Sequence, residues 1–158
     1  MDLTFKLPNG CFNYRVCGII IKNNKILAMK DGNSKYFYLP GGRVQFKESY
    51  NDAILREMKE ELNIDARIVR PLWMVESFFN EDNTSQDFHE LCLYYLIDIS
   101  NTYLENSQEF FPGIESHKKS VFYWLNIDEL ENEYIYPVFI RTKAKNLPDS
   151  LELLTECQ

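Results

Sequence analysis

The segment Gly41–Ile64, GGRVQFKESYNDAILREMKEELNI, is where the apolar residues of this chain change period, and that change constrains the fold more than any other feature. Before it stand three runs rich in β-branched and aromatic residues: YRVCGIIIK (Tyr14–Lys22), KILAMK after Asn23-Asn24, and KYFYLP. The first two read as a hairpin and the third as a short strand. Within the segment, Ala53, Ile54, Met58 and Leu62 recur at helical spacing, which predicts a helix from about Ser49 to Leu62 closed by Asn63 as a left-handed C-cap. Strand-like segments return at Ala66–Phe79, Phe88–Ile99 and Ser120–Leu125, separated by polar loops at Asn80–Gln86 and Asn101–Lys119. A second helix is expected from Pro137 to Asn146, with Pro in its first turn, while the tail Asp149–Gln158 reads as polar and peripheral. This order predicts an α+β fold in which helices pack on a mixed sheet.

At 158 residues, the chain predicts a single domain. Its 45% hydrophobic residues exclude a disordered or coiled-coil chain. The formal charge of −7 excludes an extended nucleic-acid-binding face. A small phosphorylated ligand remains compatible with that charge if a bound divalent metal supplies local positive charge. Cys11, Cys17, Cys92 and Cys157 are scattered without a C-x-x-C pair, so reduced thiols and a cytoplasmic location are expected. No signal-peptide pattern opens the sequence, and no apolar run approaches the ~18 residues of a membrane span, so no membrane partner is expected.

The charged positions of the central segment carry its chemistry. Glu57, Glu60 and Glu61 are spaced i, i+3, i+4, which places three carboxylates on one helix face. Like charges there repel, and a cluster of hard oxygen ligands suits Mg²⁺ or Mn²⁺; the absence of Cys and His from the segment argues against zinc. Glu48 can approach the cluster from the preceding loop, and Arg56 can neutralise one carboxylate and fix its rotamer. Gly41-Gly42 allows close backbone approach, and Pro40 stiffens the entry. REMKEEL alone is a common solvated helix surface, and only the longer pattern separates the two readings.

That longer pattern resembles the Nudix box: Gly, five residues, Glu, seven residues, Arg-Glu, apolar, any, Glu-Glu, any, Gly, apolar. Here it runs through Gly42, Glu48, Arg56, Glu57, Met58, Glu60, Glu61 and Ile64. Chance agreement is on the order of 10⁻⁸ per starting position, which removes coincidence as a competitor. The one departure is Asn63 in place of Gly, and Asn also tolerates the left-handed conformation. Tyr38-Leu39-Pro40-Gly41-Gly42 and YWLNIDELENEYIYP resemble the family's flanking segments, so the resemblance covers about residues 13–146. It implies an α/β/α sandwich with a mixed β-sheet between helices. It also implies hydrolysis of a nucleoside diphosphate linked to another group, by attack of a metal-activated water on phosphorus. By the same resemblance, Glu57, Glu60 and Glu61 ligate Mg²⁺ or Mn²⁺, joined by Glu48 and the Gly41 carbonyl. The catalytic base differs among Nudix subfamilies; Glu60 is the first choice here, with Glu109 and Glu115 in the long loop as alternatives, since such a loop can act as a lid.

Candidates for substrate contact are Tyr38 and Tyr36 for stacking, Arg15 and Arg43 for phosphate, and Glu76 with His89 or Glu90 along the cleft. His117 reads as a loop residue. Phe78, Phe79, Tyr94, Tyr95, Phe122 and Trp124 are mostly expected in the core. The run SQPWPxPxS that marks NADH-type members is absent, as is the upstream coenzyme A signature. The proline expected about fifteen residues past the box for ADP-ribose, and the tyrosine expected further on for dinucleoside polyphosphates, are also missing. The substrate class therefore stays open, and so does a homodimer. The competing reading is a non-catalytic Nudix module that senses a nucleotide for a partner protein, with an isomerase on the same fold as a third; the complete set of box carboxylates favours the hydrolase.

Overall fold

In the computed structural model, which describes residues 1–81, 85–115 and 119–157, two strands, β1 (Thr4–Leu7) and β2 (Gly10–Ile19), precede a tight hairpin of β3 (Ile21–Lys22) and β4 (Lys25–Asp31). Next come β5 (Gly41–Arg43), helix α1 (Tyr50–Leu62), the long pair β6 (Arg67–Asn80) and β7 (Asp87–Asp98), and a 3₁₀ turn at Tyr103–Asn106. Strands β8 (Phe110–Pro112) and β9 (Ser120–Asn126), a second 3₁₀ turn at Ile127–Asn132, the short helix α2 (Ile140–Lys143) and β10 (Glu152–Cys157) complete the order. His117 lies outside the described residues.

Asn23 and Asn24 both take positive φ, 51° and 60°, the conformation of a type I′ turn whose twist matches the flanking strands. The expected hairpin arm Tyr14–Lys22 is divided. Up to Ile19 it belongs to a six-stranded mixed sheet of order β1-β2-β7-β6-β10, with β5 also on β2; from Ile21 it belongs to an antiparallel sheet of order β3-β4-β9-β8. In the larger sheet, β2 and β7 are parallel, as are β6 and β10.

Helix α1 forms as expected. Ser49 caps it by accepting from the Asp52 N–H at 3.1 Å, and Asn63 closes it in the left-handed conformation at φ 52°. Its apolar stripe of Ala53, Ile54, Met58 and Leu62 is fully buried against Val16, Leu93, Tyr95 and Ile97. Burial stabilises each large side chain by about 1.5–3 kcal/mol. The opposite sheet face, with Cys17, Trp73, Val75, Cys92 and Tyr94, packs against Ile127, Leu130, Ile135, Phe139 and Ile140 from the second 3₁₀ turn and α2. Helical layers thus cover both faces, giving the α/β/α sandwich.

Four segments differ from the reading of the sequence. KYFYLP makes only isolated bridges, Met29 to Tyr38 and Phe37 to Ile135, because single backbone pairs on either side satisfy it. The helix expected at Pro137–Asn146 holds one α-turn; around it, Ile140, Arg141 and Asn146 donate to carbonyls three residues back, so the coil continues as 3₁₀ turns. The loop Asn101–Lys119 contains a 3₁₀ turn anchored by fully buried Leu104, and β8 paired with β9. The tail is a strand, with β10 lying parallel to β6 at the sheet edge. No helix among the described residues is long and apolar enough to cross a membrane. Cys11, Cys17, Cys92 and Cys157 are all unbridged.

Candidate active site

Two glycines let β5 approach both β2 and α1. A Cβ at Gly41 would strike the Val16 carbonyl and lie 2.8 Å from the Cys17 Cα, while one at Gly42 would overlap the Glu57 carboxylate. The close approach lets the Gly41 N–H donate to Glu61 Oε2 at 2.9 Å, and Glu61 is buried at 4% exposure. A buried carboxylate needs such donors, so β5 and the last turn of α1 are locked together.

Arg56 is the hub of the remaining charges. Its guanidinium grips Glu48 with two bonds, Nε to Oε1 at 2.7 Å and Nη2 to Oε2 at 2.9 Å. Its Nη1 donates to Glu57 Oε1 at 2.7 Å and to Glu60 Oε2 at 3.2 Å, and its Nη2 also donates to the Arg43 carbonyl at 3.0 Å. The Arg56 bonds, aided by the Gln45 N–H, hold the Glu48 carboxyl below the usual carboxylate range against the opposing effect of burial. The same partners raise the guanidinium above its ordinary value.

One guanidinium cannot neutralise Glu48, Glu57, Glu60 and Glu61, so the cluster keeps an excess of negative charge. Its donors are carboxylates and backbone carbonyls, the hard set that suits Mg²⁺ or Mn²⁺. Among the described residues no three Asp, Glu, His or Cys side chains converge on one point; Glu48, Glu57 and Glu60 turn oxygens onto Arg56 and Glu61 onto the Gly41 N–H.

Beside the cluster, burial first and then Asp31 and Glu61 push the Tyr38 phenol up to about 12. Tyr36, two residues before Tyr38, packs edge to face on Tyr134 and Tyr136, which meet each other likewise, at centroid separations of 4.9–5.8 Å. Arg15 and Arg43 are cross-strand partners on β2 and β5. Arg15 faces Glu90 at 3.9 Å, and Arg43 faces Asp2 at 3.8 Å.

Glu90 and His89 point to opposite faces of the sheet. Glu90 shares its face with Asn13 and Ser77, whereas His89 lies in register with Phe12 and Phe78 and bonds Glu76 at 2.9 Å. Glu76 therefore joins His89, away from Glu90. Glu109 reaches Lys25 at 3.5 Å, and Glu115 lies at the border of the described residues. Sequence reasoning passed over Asn13, which is 4% exposed and accepts from the Thr4 hydroxyl at 2.7 Å. The available signal was its place in the alternation Asn13, Arg15, Cys17, a polar residue on an inward-facing set.

Comparison with known proteins agrees with this geometry. An ADP-ribose pyrophosphatase of Methanocaldococcus jannaschii is 36% identical over 87 residues, 53% of this chain and 49% of that protein. An mRNA-decapping protein of fowlpox virus is 28% identical over 117 residues, 68% of this chain and 49% of that protein. The chain thus spans about half the length of these curated relatives. Among solved structures, a MutT protein of Bacillus halodurans superposes with a TM-score of 0.59 at 12% identity, covering 89% of this chain and 86% of that one. An ADP-ribose pyrophosphatase of Streptococcus suis gives 0.55 at 16%, covering 90% and 98%. These structures share the fold. The family model described as NUDIX domain matches residues 13–143, a span that takes in the glycine approach, the Arg56 hub and all four glutamates, and the chain belongs to the Nudix family.

Proposed function

We propose that this chain is a divalent-metal-dependent diphosphohydrolase that cleaves the P–O–P bridge of a nucleoside diphosphate linked to another group. The observation that carries the reading is the assembly of Glu48, Glu57 and Glu60 on one guanidinium, with Glu61 fixed to the Gly41 N–H beside them. Glu48, Glu57, Glu60, Glu61 and the Gly41 carbonyl would hold Mg²⁺ or Mn²⁺. A divalent ion there would supply Lewis-acid polarisation of a phosphoryl oxygen and lower the pKa of an attacking water.

The chain's own residues do the rest. Glu61 ties the glycine strand to the helix, so the two sides of the cluster cannot separate. Arg56 orients Glu48 and Glu57 and takes part of their charge. Glu60 has the most exposed carboxylate among the Arg56 partners, at 48%, and Arg56 holds it at 3.2 Å, its longest contact in the hub, which suits a group that must turn to accept a proton from water. Arg15 and Arg43 offer charged donors to a second phosphate.

The relatives named ADP-ribose pyrophosphatase make ADP-ribose the first substrate to try. The test is chromatographic separation of the cleaved products after incubation with ADP-ribose, NADH, coenzyme A, dinucleoside polyphosphates and nucleoside triphosphates in Mg²⁺ or Mn²⁺. Turnover of at least one, lost with chelator and in Glu57→Gln, is expected. A chain that hydrolyses none of them under either metal would overturn the reading.

A further inference from the structure

The polar row that crosses the larger sheet at Asn13 and Glu90 plays no part in the chemistry at α1. Register places Thr4 opposite Asn13, Asn13 opposite Glu90 and Glu90 opposite Ser77, so the four side chains share one face. Two residues further along β2 stand Arg15 and its partner Arg43, and two further still stand Cys17 and Gly41. The apolar layer over this face takes in Cys17 and, in the Arg15 row, Cys92 and Val75, but no member of the row of Thr4, Asn13, Glu90 and Ser77. The polar row lies where that cover ends.

Part of its hydrogen-bonding capacity is spent inside the row. Asn13 Oδ1 accepts from Thr4, and the Asn13 side chain bonds Glu90. Glu90 is 12% exposed and Arg15 is 33% exposed. Burial raises the Glu90 carboxyl above the usual range, with Arg15, Asn13 and Arg43 opposing it. Removing a carboxylate from water is costly, and an apolar side chain at this position would pack without that cost. What the row still offers a ligand is the remaining acceptor capacity of one carboxylate and the donors of two guanidiniums.

Distance fixes which part of a ligand would reach it. At ~3.3 Å per residue, Asn13 and Glu90 lie about 13 Å along β2 from Cys17 and Gly41, with Arg15 and Arg43 midway. That is the span from the terminal phosphate of a nucleoside diphosphate to its sugar or base. We propose that Glu90 is the specificity-determining residue of a donor-reading subsite: its carboxylate accepts a pair of adjacent O–H or N–H donors on the nucleoside end of the substrate. The proposal rests on the diphosphohydrolase reading. Two sources present such a pair, the 2′,3′-hydroxyls of a ribose and the N1–H and N2–H₂ edge of guanine. Adenine does not, since its N1 is an acceptor.

Nucleoside monophosphates have no bridge to hydrolyse, so calorimetric titration of the whole chain with AMP, 2′,3′-dideoxy-AMP and GMP in Mg²⁺ isolates this subsite. If ribose is read, AMP binds at least about tenfold more tightly than its dideoxy form; if guanine is read, GMP binds at least about tenfold more tightly than AMP. Either contrast should vanish in Glu90→Gln, whose amide turns one acceptor into a donor, and in Glu90→Ala, which only removes the acceptors. Neither contrast in the wild-type chain overturns the proposal, whatever the variants do, and so does a contrast that survives both substitutions. A Glu90-dependent contrast in a chain that turns over no diphosphate substrate would instead sink the activity reading and leave the subsite standing.

Discussion

The backbone of Gly42 lies directly under the carboxylate of Glu57, closer than any side chain at position 42 would permit. The contact is why the box begins with a glycine, since the strand must touch the helix where the Glu57 carboxylate stands. Gly42→Ala is expected to push Glu57 off Arg56, destabilising the fold by about 1–3 kcal/mol as an overpacked site does. It should also cost more than tenfold in turnover because the displaced group sits where the chemistry is placed. Thermal melting and steady-state kinetics check this together, and an Ala variant equal to wild type in both would contradict the contact.

Glu61 separates structural from chemical roles. Its Oε2 accepts the Gly41 N–H, a bond that the amide oxygen of Gln can also accept. Glu61→Gln is therefore expected to melt near the wild-type temperature in chelator. Wild-type chain should gain stability on adding Mg²⁺, by about 2.7 kcal/mol at a hundredfold excess over Kd, and the variant should lose most of that gain along with its turnover. An undiminished Mg²⁺-dependent shift in the variant would remove Glu61 from the set of metal-holding residues.

What the sequence makes legible follows from how local each signal is. Helix α1, its Asn63 cap and the i, i+3, i+4 carboxylates each rest on signals only a few residues apart, so they can be read directly. The Asn23-Asn24 turn is equally local. Strands β1 and β10 are not, because each exists only through its pairing with β2 or β6, and Leu153 at 79% exposure gives no burial pattern to read. The loop before β9 hides β8 for the same reason. At the site, alternation shows that His89 and Glu90 face opposite ways, yet only the parallel register of β2 with β7 decides which of them lies beside Arg15.

The pH dependence of Glu90 has a definite sign. Its carboxyl is raised on folding, with burial as the main cause, so the native state binds its proton more tightly than the unfolded chain does. Ionisation therefore costs stability. The cost is absent below the ordinary carboxylate value, grows as pH rises from there through the raised native value, and is constant above it. Glu90→Gln cannot ionise, so its melting temperature relative to wild type should increase from acid toward neutral pH. Melting curves of both proteins across that range test it; a difference that shrinks as pH rises would show that Arg15 and Asn13 more than offset the burial.

The choice of catalytic base turns on where three glutamates sit. Glu60 is anchored to the Arg56 hub, with 48% of its side chain still open to water. Glu109 is held at 3.5 Å by Lys25, which lies four residues, or ~13 Å, along β4 from the Met29 bridge to Tyr38, and its backbone carbonyl takes the Trp124 N–H. Pairing of β8 with β9 ties this stretch of the loop to the smaller sheet. Glu115 lies further along, outside β8. Glu60→Gln is expected to lower kcat by ~10²-fold or more with little change in KM, the pattern of a group that acts mainly in the transition state. Glu109→Gln should stay within about twofold of wild type, as surface changes away from the site do. Glu115→Gln is the control that decides between box and loop. A large kcat loss there, with Glu60→Gln near wild type, would move the base out of α1 and require the loop to close over the cluster during turnover.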